Sequence, residues 1–152
     1  MLQVGDTAPS FQAESTQGKI DLKPYIGRQP IVLIFYPKNE TPICTKQLCA
    51  VRDSKQQYAR YHALVLGVNQ GSLQQHEKFA RHHGYDFPLL SDSDGEINKS
   101  YDVGNFLFGL IGQNRIVYVI GLDGKIAYAR KGNRPTSEIL EALESAVGAP
   151  QS

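Results

Sequence analysis

Six apolar or aromatic residues stand in succession at Ile31-Val32-Leu33-Ile34-Phe35-Tyr36. The run is too short for a membrane span and rich in β-branched types, so it predicts a strand buried on both faces over residues 31–36. Pro37 stops it. A short polar loop then reaches Thr41-Pro42, a hydroxyl residue ahead of a proline, the order expected of a helix N-cap and its first helical position. The helix predicted over residues 42–61 places Cys44, Leu48, Val51 and Tyr58 on one stripe, at offsets of four, seven and fourteen. Cys44 then lies in the first turn and faces the core, whereas Cys49 does not.

The remaining periodicities extend this unit. Residues 10–15 and 19–22 flank Thr16-Gln17-Gly18, a turn signal, and predict an opening hairpin. Residues 63–68 are a second apolar strand, and Ser72-x-x-Gln75 is a capping-box signature for a helix ending at His83-Gly84. Short loops make the two strands parallel with a right-handed crossover. Residues 87–91 follow, then a short helix over 94–102 with Ile97 and Tyr101 inward, and a Gly-rich aromatic segment over 104–109 that reads as a loop or insertion. Residues 115–121 and 125–130, joined by Leu122-Asp123-Gly124, form a hairpin. Residues 136–147 form an amphipathic helix with Ile139, Leu140, Leu143 and Val147 inward and Gly148 as its stop. Strand, helix, strand, helix, hairpin, helix is the order of an α/β thioredoxin fold, here with an N-terminal hairpin and an insertion before the C-terminal hairpin and helix. One domain over residues 1–148 and a flexible tail over 149–152 are expected.

Composition narrows the function classes only slightly. Hydrophobic content of 41% and charged content of 20% suit a globular domain, and 16 basic against 15 acidic residues leave a net charge of +1. That balance gives no general attraction to nucleic acid or to an anionic membrane. Met1 to Asp6 show neither the basic start nor the apolar stretch of a signal peptide, and no run reaches the ~20 residues of a membrane span. A cytosolic location is therefore expected. In a reducing compartment, two cysteines are more often catalytic, redox-active or metal-bound than a structural bridge.

The position of Cys44 has chemical consequences, because the unpaired N–H groups and the dipole of a helix start favour an anion, and a thiolate is what this residue can offer. On an ideal helix Cys49 lies about 140° around the axis and about 7.5 Å along it, with Cα atoms roughly 8.7 Å apart. A disulfide tolerates only about 7 Å. The pair can therefore bond only if the helix start unwinds, which suits a reversible redox step.

Sites in open α/β sheets form beyond the carboxyl ends of parallel strands, where residues 37–44 lie. A hairpin added antiparallel to strand 31–36 brings Arg115 to that end, and Arg130 reaches it from the second hairpin strand. A guanidinium beside Cys44 would favour the thiolate and stabilise negative charge on a reacting oxygen. Each of these residues also has a plainer reading. Arg115 could be a solvated strand-end arginine, Thr41 only a cap, Pro37 only a strand stop, Gln47 plain helix surface, Cys44 a buried inert thiol and Cys49 an incidental helix cysteine. The histidines His62, His76, His82 and His83 show no metal-ligand spacing with the cysteines and read as surface or core-edge residues.

Phe35-Tyr36-Pro37-Lys38, Thr41-Pro42, Cys44-Thr45 and Gln47 to Cys49 closely resemble the active-site segment of peroxiredoxins. The Cys-x4-Cys spacing is similar to the bacterioferritin comigratory protein or peroxiredoxin Q branch. The resemblance runs from Gly5-Asp6-Thr7-Ala8-Pro9-Ser10-Phe11 through Phe87-Pro88-Leu89-Leu90-Ser91-Asp92 to Asp123-Gly124-Lys125, with Ile43 where that branch usually has glycine. It implies a thiol peroxidase in which Cys44 is oxidised by hydrogen peroxide or an alkyl hydroperoxide. Cys49 then closes a Cys44–Cys49 disulfide, and thioredoxin or a similar dithiol restores both thiols.

By the same resemblance Arg115 is the active-site arginine, Thr41 hydrogen-bonds peroxide and thiolate, and Pro37 shields the pocket. Gln47 matches a family position, the chain is a monomer, and no metal, haem or flavin is needed. Two alternatives differ in class. A thioredoxin-type disulfide oxidoreductase would carry Cys-x-x-Cys and a proline where Asn114 stands. A binding module would hold a metal with Cys44, Cys49 and a histidine, or keep the two cysteines as an inert bridge.

Overall fold

The computed structural model describes residues 1–105 and 112–148, so most of the predicted insertion at 104–109 and the predicted tail lie outside the described residues. The elements, in chain order, are strands β1 (Gln12–Ser15), β2 (Gly18–Asp21) and β3 (Ile31–Phe35), helices α1 (Pro42–Asp53) and α2 (Lys55–Ala59), and strand β4 (Leu64–Asn69). They continue with α3 (Leu73–His83), β5 (Leu89–Ser91), α4 (Glu96–Ser100), β6 (Ile116–Ile120), β7 (Ile126–Lys131) and α5 (Thr136–Val147). The described strands join in one seven-stranded sheet of order β2-β1-β5-β4-β3-β6-β7. This is the α/β thioredoxin-like arrangement that the element order predicts. No helix among the described residues is long and apolar enough to cross a membrane.

β3 lies inside the sheet, parallel to β4 and antiparallel to β6, and all five of its residues are fully buried. Its side chains alternate between two cores, as the two-residue period of a strand requires. Val32 and Ile34 join Tyr36, Cys44, Leu48, Phe79 and Leu143 on the face covered by α1, α3 and α5. Ile31, Leu33 and Phe35 join Leu22, Ile97, Tyr101 and Tyr118 on the other face. Burying each such side chain contributes about 1.5–3 kcal/mol, so the strand that leads into the cysteine loop is firmly anchored.

Three local signals act as read. Ser72 Oγ accepts from the Gln75 amide while Gln75 Oε1 accepts from the Ser72 amide, and Gly84 closes α3 in the left-handed conformation, φ 67°. Asp123 Oδ1 accepts from the Lys125 amide and tightens the β6–β7 turn. Ile97 and Tyr101 are buried as expected.

Other expectations need correction. The helix expected over 42–61 is two helices, broken at Ser54, whose backbone (φ −103°, ψ 15°) leaves the helical region. The Ser54 amide is shared between the carbonyls of Ala50 and Val51, as at a helix end, and His62 turns the chain with φ 56°. On α5, Ile139 and Leu143 are buried while Leu140 and Val147 are only partly so. The N-terminal hairpin joins the main sheet through Ser15 opposite Leu90, a long-range pairing.

Candidate active site

α1 begins where Thr41-Pro42 indicates, with Thr41 extended (φ −85°, ψ 149°) and Pro42 opening the helix. Thr41 does not cap with its side chain: its hydroxyl donates to the Lys38 carbonyl at 3.0 Å, closing the loop on itself. Cys44 is the third helical residue and is fully buried. Ile43 takes a place in the helix without positive φ, so the turn needs no glycine there.

The register of β6 against β3 pairs Phe35 with Ile116 and so carries Arg115 to the end of β3 where the loop starts. There Arg115 Nη2 donates to Cys44 Sγ at 3.1 Å, and Nη1 donates to Gln47 Oε1 at 2.8 Å. The guanidinium thus presents one nitrogen to the sulfur and one to a buried amide, a division of its planar fork that a lysine could not reproduce. Gln47 is buried rather than plain helix surface, and its Nε2 has no partner. Lying one turn after Cys44, it is on the same helix face, and this was the available sign of its burial. Arg130 pairs across the hairpin with Val117 and is exposed, whereas the hydrogen bond to Cys44 comes from Arg115.

A cleft of about 570 Å³ opens beside these residues, lined by Pro37, Lys38, Thr41, Pro42, Ile43, Gly112 and Arg115. Pro37 and Thr41 therefore share one concave surface with Arg115. Gly112 closes it with φ +94°, and a Cβ there would fall 2.5 Å from the Pro37 carbonyl oxygen, a separation that only glycine avoids.

Cys49 lies to the side, partly buried. The Tyr85 hydroxyl donates to the Thr45 carbonyl at 3.2 Å, so at 3.4 Å the Cys49 thiol is the donor to Tyr85. Burial, followed by this bond to Cys49, pushes the Tyr85 pKa up strongly, and the phenol stays neutral. Both cysteines are free. Among the described residues, neither joins a cluster of three metal-ligating side chains.

Several residues around the loop escaped sequence reasoning. The Tyr36 hydroxyl donates to Asn39 Oδ1 at 2.8 Å, and Asn39 Nδ2 meets His76 Nδ1 at 2.9 Å. His76 Nε2 lies 3.0 Å from the Leu90 carbonyl and 3.2 Å from that of Asn69, which fixes the proton on Nε2 and leaves Nδ1 to accept. His76 is fully buried, not at a core edge, and burial lowers its pKa from 6.5. The Tyr36 carbonyl accepts from both Asn69 Nδ2 and Gln113 Nε2, at 2.7 and 2.9 Å, so the end of β3 is clamped where the strand ladder stops. Burial and the Cys44 charge both raise the Tyr36 pKa.

Residues 4–129 match the model of the AhpC/TSA family. A chloroplastic peroxiredoxin Q from Triticum aestivum is 36% identical over 142 residues, 92% of this chain, and the chain spans only 64% of that relative's length. Peroxiredoxin Bcp of Bacillus subtilis is 31% identical over 95% of this chain and 94% of its own. Among solved structures, peroxidoxin BcpB from Mycobacterium tuberculosis superposes with a TM-score of 0.86 at 29% identity, covering 95% of this chain and 98% of that one. A PrxQ mutant from Xylella fastidiosa gives 0.84 at 28% identity, covering 95% and 97%. With a buried thiol at a helix start, an arginine on its sulfur and relatives that match nearly its whole length, the chain belongs to the AhpC/TSA family.

Proposed function

We propose that the chain is a thiol-dependent peroxidase for hydrogen peroxide and alkyl hydroperoxides, with Cys44 as the attacking residue. The observation that carries this is the hydrogen bond from Arg115 Nη2 to Cys44 Sγ at the positive end of α1. The helix start and the guanidinium both favour thiolate over thiol. The thiolate attacks one peroxide oxygen, the O–O bond breaks, and its electron pair leaves with the other oxygen, which takes a proton to become water or an alcohol. Cys44 keeps the transferred oxygen as a sulfenic acid. Arg115 and Thr41 line the same cleft; Arg115 would meet the charge on the departing oxygen, and the Thr41 hydroxyl would join it in holding the peroxide once it turns from the Lys38 carbonyl. Pro37 would limit water around the sulfenic acid.

Cys49 then attacks the Cys44 sulfur, expelling the oxygen as water and forming a disulfide. Cys44 points into the core and Cys49 to the Tyr85 side, so the first turns of α1 must loosen for the sulfurs to meet. A dithiol of thioredoxin type returns two electrons by exchange and leaves as a disulfide. Residues 1–148 act in this reading as one domain, and as a monomer, which sedimentation tests. The wheat relative is chloroplastic, so compartment varies within the family, and fractionation of the source cell tests the cytosolic expectation.

Mass spectrometry after one equivalent of peroxide is the deciding experiment. A loss of two hydrogens localised to Cys44 and Cys49 is expected, and a chain left unoxidised overturns the reading. Cys49→Ser should stop at the sulfenic acid, and sustained thioredoxin-supported turnover by that variant would remove Cys49 from the scheme.

A further inference from the structure

The loop between β3 and α1 is tied to α3 at a second place, outside the cleft. Glu40 Oε2 lies 2.9 Å from His82 Nδ1, and Oε1 lies 2.9 Å from His83 Nε2. We propose that Glu40, His82 and His83 form a site for a divalent zinc-like cation, which fastens the active-site loop to the end of α3.

The geometry suits this. Neighbouring residues on a helix point about 100° apart, yet both imidazoles converge on one carboxylate. They do so because His82 uses its near nitrogen and His83 its far one, with ring centroids 4.5 Å apart. All the ligand atoms lie within 4.8 Å of one another. Around a tetrahedral zinc with bonds of about 2.0–2.2 Å, ligand atoms stand roughly 3.4 Å apart, so small side-chain rotations close the shell. Two imidazoles and one carboxylate favour a borderline cation over calcium or magnesium, which take oxygen ligands. Three protein ligands leave a fourth position for water.

The surroundings favour a positive ion. His82 and His83 are the last residues of α3, whose carbonyl end carries the negative pole of the helix dipole. The site opens to solvent, with the His82 and Glu40 side chains 64% and 46% exposed. Glu40 also holds φ at +62°, a conformation non-glycine residues rarely adopt, and shared by only two other non-glycine positions among the described residues. Glu40 directly precedes the N-cap of α1, so a cation here would pin the loop whose helix start must loosen for the disulfide. That kinetic consequence rests on the peroxidase reading, whereas cation binding does not.

The test separates the two. Zinc is titrated calorimetrically into Cys44→Ser/Cys49→Ser, which removes thiol ligands. One ion per chain is expected, with affinity lowered by about tenfold or more when His82→Ala is added, since even outer-shell changes cost about 10–100-fold. No binding, or binding indifferent to His82→Ala and Glu40→Gln, overturns the site. In the otherwise native chain, zinc should slow peroxide-driven disulfide formation severalfold, reversibly with chelator, and not in His82→Ala. An unchanged rate at saturating zinc overturns the clamp. A chain that binds zinc at these residues but is never oxidised by peroxide sinks the peroxidase reading and leaves the site standing.

Discussion

Arg115 and Cys44 are 71 positions apart in sequence, yet Arg115 Nη2 donates to Cys44 Sγ at 3.1 Å while the same guanidinium is braced by Gln47. Arg115→Ala should lower the second-order rate of Cys44 oxidation by about 10²–10³-fold, the usual cost of removing one preorganised donor to a developing oxyanion. Stopped-flow oxidation with stoichiometric peroxide reads it, and Arg130→Ala, which changes an exposed side chain, should match the parent.

Tyr85 ties the Cys49 thiol to the Thr45 carbonyl, which lies in the turn of α1 that would loosen in the proposed scheme. Tyr85→Phe keeps the ring and removes the hydroxyl. Disulfide closure after a single oxidation should become about fivefold faster, because a net hydrogen bond contributes ~1 kcal/mol. Quenched alkylation at timed intervals measures it, and slower closure would mean that Tyr85 aims Cys49 rather than restraining it.

His76 is buried and neutral, with a pKa lowered from 6.5 by burial. The unfolded chain therefore takes up this proton before the folded one does. Stability from this group is fully present above the unfolded value and is lost as pH falls below it, until the lowered folded pKa is reached. Urea unfolding from about pH 7 down to about pH 5.5 should show declining midpoints, and His76→Gln should flatten that part of the profile. An equal slope in both proteins would assign the effect to other groups.

Gly112 allows the backbone to pass against the Pro37 carbonyl. Gly112→Ala combines a forced positive φ with a contact of 2.5 Å and should destabilise by about 1–3 kcal/mol. Equilibrium denaturation tests this.

Features coded by neighbouring residues were legible. Thr41-Pro42 marked the start of α1, Ser72 and Gln75 boxed α3, and the antiparallel hairpin carried Arg115 to the correct end of β3. What escaped depends on distant partners. Gln113, 77 residues from Tyr36, clamps that residue's carbonyl, and no local pattern marks Gln113 as buried. His76 read as a surface or core-edge residue because its three partners, Asn39, Asn69 and Leu90, come from separate segments. The Thr41 hydroxyl turned to Lys38 because the loop offered a carbonyl within reach, a competition that cap preference does not describe. The stop at Ser54 is likewise hidden, since Tyr58 keeps the apolar stripe going beyond it.

In the proposed scheme that stop sets how much of the chain would move during turnover. If residues 41–46 uncoil to swing one sulfur toward the other, what remains of α1 is residues 47–53, well below the roughly 12–15 at which a helix persists unaided in water. Leu48 and Val51, seated among Val32, Ile34 and Phe79, keep that remnant docked and ready as a seed. Each catalytic cycle is then a small unfolding and refolding event on a fixed template, and α2, already separated at Ser54, need not take part.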